Sequence, residues 1–344
     1  MISLSRFVGK LCDSAARLVF MALGLLCLGV PAVAQEPADV IKTETSLVQL
    51  NVGVVDRRGN AITTLTERDF VVYEDGVQRP IQHFESTDAP FSLVLLLDMS
   101  GSTITFRQQI QGAAIRFLDA LGPDDRVSVV EFNGRGVKSL IGFTTDHRRV
   151  GYAVTLASGA GETYFYDGLK FALRELSREG KRRKAIVVLT DGIDTEARNR
   201  DREMITKVSD SQMSTAINPE ASQQLSSVLS DADRLGVTIF PLALPSGDPK
   251  RLPIPDPAIV AMYTSARVRL QLLADRTGGR LNEIHRLDEL AKLYAEVAAA
   301  LRTLYSIAYQ PANPSVRDGK WRAIRIEVAR ADLVARTKPG YYAR

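Results

Sequence analysis

Between residues 90 and 303 the apolar positions alternate between two periods. Phe91 to Leu97 is apolar at every position except Ser92, as a strand covered on both faces must be. Val127 to Phe132, Ala185 to Thr190 and Val237 to Leu242 read as further strands, and Val137 to Phe143 as a short edge strand. Helical spacing fills the intervals. Ile110, Ala114, Phe117, Leu118 and Leu121 lie on one face, and Gly122-Pro123 ends that helix. Tyr166 to Leu176, a segment ending near Leu235 and a segment from Arg267 to Arg276 repeat the period. Positions 287, 290, 293, 294, 297, 301 and 304 form a last apolar stripe. Strands alternating with amphipathic helices predict an α/β fold, a doubly wound and mostly parallel sheet over 90–303. The polar stretch 193–219 and the segment 245–266, rich in proline at its start, read as loops leaving the carboxyl ends of strands, and are expected to rise around one crevice.

The flanks change period. Val48, Leu50, Val52 and Val54 alternate with Gln49, Asn51 and Gly53, and Asp69 to Tyr73 runs into a turn at Asp75-Gly76 before Ile81 to Phe84. After residue 304, Tyr305, Ile307 and Tyr309 alternate with polar or small residues. A turn falls at Asp318-Gly319, and Ile324, Ile326 and Val328 alternate with Arg325 and Glu327. Neither 45–88 nor 304–344 has enough strands to cover a sheet face alone, so the two are expected to meet in one small β-module.

Composition adds a leader and removes several partners. Arg6, Lys10 and Arg17 precede the apolar run Leu18 to Val30, and Ala32-Val33-Ala34 follows, the pattern of a signal peptide over 1–34. The run falls short of the roughly 20 residues needed to span a bilayer, so the mature chain is expected to be secreted or periplasmic with no stable membrane anchor. Cys12 and Cys27 both lie inside the leader, leaving a mature chain without thiols from Gln35. Cleavage removes three basic residues and Asp13, which takes the formal charge from +4 to +2. So small an excess argues against nucleic acid or another polyanion as partner. The cluster Lys181-Arg182-Arg183-Lys184 reads as a solvated helix end.

The candidate chemistry sits where strands end. The first central strand ends at Asp98 and continues Met99-Ser100-Gly101-Ser102; another ends at Asp191-Gly192; between them Gly161-Glu162-Thr163 opens a helix. In a doubly wound sheet, ligands bind outside the carboxyl ends of the strands. DMSGS at 98–102, Thr163 in GETYFYDGL and LTDGID at 189–194 resemble, in order and spacing, the metal-ion-dependent adhesion site (MIDAS) of von Willebrand factor A (VWA) domains. The resemblance covers roughly 90–303. It implies that Ser100, Ser102 and Thr163 offer hydroxyls to a divalent metal, which Asp98 and Asp191 hold directly or through water. Asp194 reads as a local cap. Hard oxygen ligands of this kind suit Mg2+, with Mn2+ or Ca2+ as alternatives. Neutral hydroxyls leave the ion electrophilic, so an open position should attract a carboxylate of a protein or matrix-like partner. SLVQLNVGVVD, LTERDFVVYEDGVQRPI and the terminal PGYYAR further resemble the flanks of secreted bacterial VWFA-related proteins.

The resemblance therefore implies an exported, non-catalytic binding protein, in adhesion or envelope assembly. The alternative at the same residues is a metal-assisted hydrolase such as a phosphatase, which needs a general base or an activated nucleophile beside the metal. His83, His147 and His285 fall on the β-module, an edge segment and the far end of a strand, and no GxSxG elbow is present.

Overall fold

Alternate side chains of the first central strand feed two separate apolar layers. Phe91, Leu93, Leu95 and Leu97 enter one and Val94 and Leu96 the other, all fully or almost fully buried. A strand can do this only when helices cover both faces of its sheet. The computed structural model describes residues 47–180, 182–251, 256–313 and 316–343. The expected leader at 1–34 with its two cysteines, Lys181 of the basic cluster and residues 252–255 of the proline-rich segment lie outside the described residues.

In chain order the first flank gives β1 (Val48–Asp56), β2 (Phe70–Glu74), β3 (Val77–Arg79) and β4 (Ile81–Glu85). The centre gives β5 (Phe91–Asp98), α1 (Arg107–Leu118), β6 (Arg126–Asn133), β7 (Gly136–Thr144), α2 (His147–Leu156), α3 (Phe165–Ser177) and β8 (Arg183–Thr190). It continues with α4 (Thr195–Ile205), α5 (Met213–Ala216), α6 (Gln223–Leu235), β9 (Val237–Ala243), α7 (Pro257–Thr277), β10 (Asn282–Glu283) and α8 (Leu290–Arg302). The second flank adds β11 (Leu304–Tyr309), β12 (Trp321–Val328), β13 (Leu333–Arg336) and β14 (Gly340–Tyr342).

The central sheet runs β10-β9-β8-β5-β6-β7, parallel throughout except for β7, which is antiparallel to β6 at the edge. Residues from α1, α2 and α8 pack on one face, among them Phe117, Val154 and Tyr294. Leu173, Val228 and Leu270, from α3, α6 and α7, pack on the other. Leu96 has no exposed surface and sits in the second layer beneath α3. Leu96→Ala is expected to lower the unfolding free energy by about 2–5 kcal/mol through lost contacts and a residual cavity. Urea unfolding measures this, and a loss below about 1 kcal/mol would contradict a close-packed layer there.

Three stretches are more helical than the apolar pattern suggests. Residues 193–219, expected as a loop, contain α4 and α5. The buried positions of α4 are Thr195, Ala197, Asp201 and Ile205, so half of its inward stripe is polar. The segment 245–266, also expected as a loop, gives way to helix at Pro257. Pro257 occupies the first turn, where it loses no hydrogen bond, and the Asp256 carboxylate accepts from the Ile259 N–H at 3.0 Å. Helix α2 was not apparent either; Asp146 caps it and only Val150, Ala153 and Val154 turn fully inward.

The flanks pair with each other in two sheets. Their orders are β13-β1-β11-β4 and β14-β12-β2-β3, so each sheet takes two strands from each flank. Leu50, Val52, Phe70, Val72, Tyr305 and Ile307 form one apolar layer that draws on both sheets. Asp75 and Gly76 both have positive φ, 50° and 81°, which is the turn a two-residue hairpin between β2 and β3 requires. Asn51 ties β1 to the central region, donating to Thr238 Oγ1 at 2.7 Å and to the Gly236 carbonyl at 3.2 Å.

The described members of the basic cluster, Arg182 to Lys184, are not a solvated helix end. Arg183 and Lys184 are buried as the first two residues of strand β8. The Arg183 guanidinium donates to the carbonyls of Leu304 at 2.6 Å, Leu301 at 3.3 Å, Thr87 at 2.9 Å and Ala89. The helix end it serves is that of α8, and it joins this to the segment between β4 and β5. Five donors in a fixed planar fork suit Arg to this task.

Candidate metal centre

The strand order reverses between β5 and β8. From β5 the chain crosses through α1 to β6 on one side, whereas β8, β9 and β10 lie on the other. At such a switch point the flanking loops part and leave a crevice at the carboxyl ends of the strands. Asp98 is the last residue of β5, and Asp191 follows the last residue of β8. Leu97 is in register with Leu189, so Asp98 is level with Thr190 and Asp191 leaves the adjacent strand one residue further on.

Hydrogen bonds fix the first segment. Asp98 Oδ1 accepts from the Ser100 N–H at 3.0 Å and Oδ2 from the Thr190 hydroxyl at 2.7 Å. The Thr103 hydroxyl donates to the carbonyls of Asp98 and Ser100 at 2.8 and 3.0 Å. Ser100 Oγ and Ser102 Oγ are 3.2 Å apart, and the Ser102 hydroxyl also bonds Asp191. Asp191 Oδ1 accepts from the Ile193 N–H at 3.0 Å.

The third segment is laced to the other two. The Thr163 N–H donates to Thr195 Oγ1 and the Thr195 N–H to the Thr163 carbonyl, each at 3.0 Å. The Gly101 N–H donates to the Gly161 carbonyl at 2.9 Å. Gly192 has φ +85°, and a Cβ there would lie 2.7 Å from Leu270 Cδ1, so the turn after Asp191 needs glycine on both counts. Asp194 caps α4, accepting from the Ala197 N–H at 3.0 Å, as its position suggested.

Burial gives the two carboxylates unusual electrostatics. Asp98 has no exposed surface and Asp191 almost none. Burial, and after it the charge of Asp191, pushes the Asp98 carboxyl up to about 7 against the hydrogen bonds of Ser100 and Thr190. Burial likewise raises Asp191, opposed by its bonds from Ser102 and Ile193 and then by Arg267 and Arg198. Neither forms an ion pair among the described residues. Two buried like charges without a cation are costly, and carboxylate oxygens beside neutral hydroxyls fit a hard divalent ion. Among the described residues no group of three or more His, Cys, Asp or Glu is gathered, so hydroxyls are the further donors at hand. A cavity of about 310 Å³ opens beside them, lined by Ser102, Glu162, Thr163, Asp191, Arg198 and Tyr263.

The chain thus brings Asp98, Ser100, Ser102, Thr163 and Asp191 to one end of the sheet. Thr190 and Thr195, which orient them, escaped the sequence reading. Thr190 looked like one more strand residue, and Thr195, Arg198 and Tyr263 lay in stretches read as loops. His83 is an exposed residue of β4, paired with Glu85. His147 opens α2, not an edge segment, and its ring meets the Asp125 carbonyl just before β6, at the opposite end of that strand from the site. His285 follows β10 at the same end of the sheet as Asp98 but three strands away, roughly 14 Å at the usual strand spacing.

Residues 93–193 match the von Willebrand factor type A domain. The VWA match takes in both carboxylates, both serines and Thr163. The central region has a VWA-like α/β fold, a mixed and mostly parallel sheet between helices. Among solved structures, the von Willebrand factor type A protein from Catenulispora acidiphila is 13% identical over 88% of this chain and 74% of that one, with TM-score 0.46. The vWF domain of a type V pili tip protein from Porphyromonas gingivalis is 14% identical over 61% and 94%, with TM-score 0.46. An aerotolerance-related membrane protein from Bacteroides fragilis is 14% identical over 61% and 98%, with TM-score 0.41. No curated protein matches the chain. Among the described residues no helix is long and apolar enough to cross a membrane.

Proposed function

We propose that this chain is an exported, non-catalytic binding protein whose Asp98, Ser100, Ser102, Thr163 and Asp191 hold a divalent metal that receives a carboxylate of a protein partner. One observation carries the reading. Asp98 and Asp191 are buried as neighbouring acids, linked through the Ser100 and Ser102 hydroxyls, with no cation paired to either among the described residues. When bound, Mg2+, Mn2+ or Ca2+ supplies an electrophilic centre that prefers hard oxygen and keeps a position open for an outside carboxylate. Thr190 and the Ser100 N–H hold the Asp98 carboxylate in place, and the bonds between Thr163 and Thr195 fix the third segment. The flanking β-sheets at 45–88 and 304–344 form a β-module beside the binding domain at 90–303, and the leader at 1–34 directs export.

Capture from an envelope extract tests the function. The full-length mature chain in Mg2+ is expected to retain a partner that chelator releases and added Mg2+ restores. Blocking carboxylates in the extract by carbodiimide amidation should abolish capture. Retention indifferent to both chelator and amidation would reject the reading.

A further inference from the structure

Arg198 stands in the opening turn of α4, where the helix dipole favours anions and opposes a cation. It lines the cavity beside Ser102, Thr163 and Asp191. Among the described residues its side chain makes no hydrogen bond or ion pair, and its Nε is buried without a partner. Across the same cavity stands Tyr263, half-buried on α7, whose hydroxyl is also without a partner among the described residues. The other nearby cation, Arg267, is anchored away from the cavity, donating to the Leu244 carbonyl at 3.2 Å and lying 3.5 Å from Glu283, although its Nη1 is buried without a partner. Glu162 at the rim is engaged by the Tyr164 hydroxyl at 2.8 Å.

A buried guanidinium nitrogen left bare is a cost that a ligand can remove. Arg198 is close enough to lower the proton affinity of Asp191, and its field reaches Tyr263 too. Yet the Asp191 carboxylate takes its hydrogen bonds from Ser102 and Ile193 and leaves the guanidinium free. A planar donor fork, a phenol hydroxyl and an adjacent candidate cation site together suit a single carboxylate with two oxygens to place.

We infer that Arg198 and Tyr263 are the specificity-determining anchors of this face, receiving the carboxylate oxygen of the partner that turns away from the metal. The inference rests on the metal-binding reading and adds to it. It explains why a cation is kept at an unfavourable helix position, and it selects a planar carboxylate over a neutral amide of the same shape.

The test uses the full-length mature chain with Mn2+, and acetate as the probe. Calorimetry gives the Mn2+ affinity, and water-proton relaxation of the Mn2+-loaded chain follows acetate binding. Arg198→Gln removes a positive charge near Asp191, so Mn2+ affinity is expected to stay the same or tighten. Acetate affinity should fall at least about tenfold, with partial recovery in Arg198→Lys and a roughly threefold loss in Tyr263→Phe. A purely structural role would weaken Mn2+ and acetate in step, and that result overturns the inference. So does acetate affinity unchanged in Arg198→Gln, or acetate that binds equally well without Mn2+. Failure of the unsubstituted chain to bind Mn2+ would instead overturn the metal-binding reading, and this inference with it.

Discussion

Asp201→Ala is expected to lower the unfolding free energy by about 3–5 kcal/mol, among the largest losses any single truncation in this chain should produce. Asp201 on α4 and Arg269 on α7 form a two-bond fork at 2.6 and 2.7 Å. Their side chains are only 2% and 7% exposed. Truncating the acid leaves a buried guanidinium without its anion, and the penalty for that exceeds anything the pair itself contributes. Replacing both partners with apolar residues, as in Asp201→Leu with Arg269→Met, should recover most of the loss. Urea unfolding of the single and double variants reads this directly. A single variant that costs less than about 1 kcal/mol would mean that the pair is solvated rather than buried. Because α4 carries Arg198 and α7 carries Tyr263, the same fork fixes the spacing of the two walls of the cavity.

The parts legible in the sequence were those where burial speaks with one voice. Phe91–Asp98 and Arg183–Thr190 are covered on both faces, so each carries a continuous apolar run, Leu93–Leu97 and Ala185–Leu189, whose ends locate Asp98 and Asp191. Helix α4 was hidden because its inward stripe includes Asp201, whose charge is cancelled only by Arg269 of α7, whereas α7 was legible from Arg267 onward and only its start at Pro257 fell in a stretch read as loop. The same logic misled at Arg183, since four carbonyls from distant segments accept from a cation that looks solvated in isolation. Strands β13 and β14 have four and three residues, too short for an alternation to register, and their partners β1 and β12 are distant or separated by a turn. The candidate ligands were readable because their spacing is local. Thr190, Thr195 and Arg198 act across segments, and nothing in their own surroundings marks them.

Asp98→Asn is expected to abolish the stabilisation that metal gives the parent chain. In chelator the unsubstituted chain carries a buried acid raised to about 7, chiefly by burial and then by Asp191. A raised carboxyl contributes stability below its ordinary value near 3.8, and that contribution is lost as pH rises through about 7. At pH 8 without metal, Asp98→Asn should therefore be at least as stable as its parent, since Asn keeps the shape and Thr190 can turn its hydroxyl to accept. With Mg2+ at a hundred times its Kd the parent should gain about 2.7 kcal/mol, and the variant nothing. The most direct measurement is calorimetric titration of Mg2+ into the chain and into its Asp98→Asn variant at pH 8. One ion bound by the parent, with affinity reduced at least about a hundredfold in the variant, is the predicted result. Equal Mg2+ affinity in the two proteins, or no binding by the parent, would contradict it.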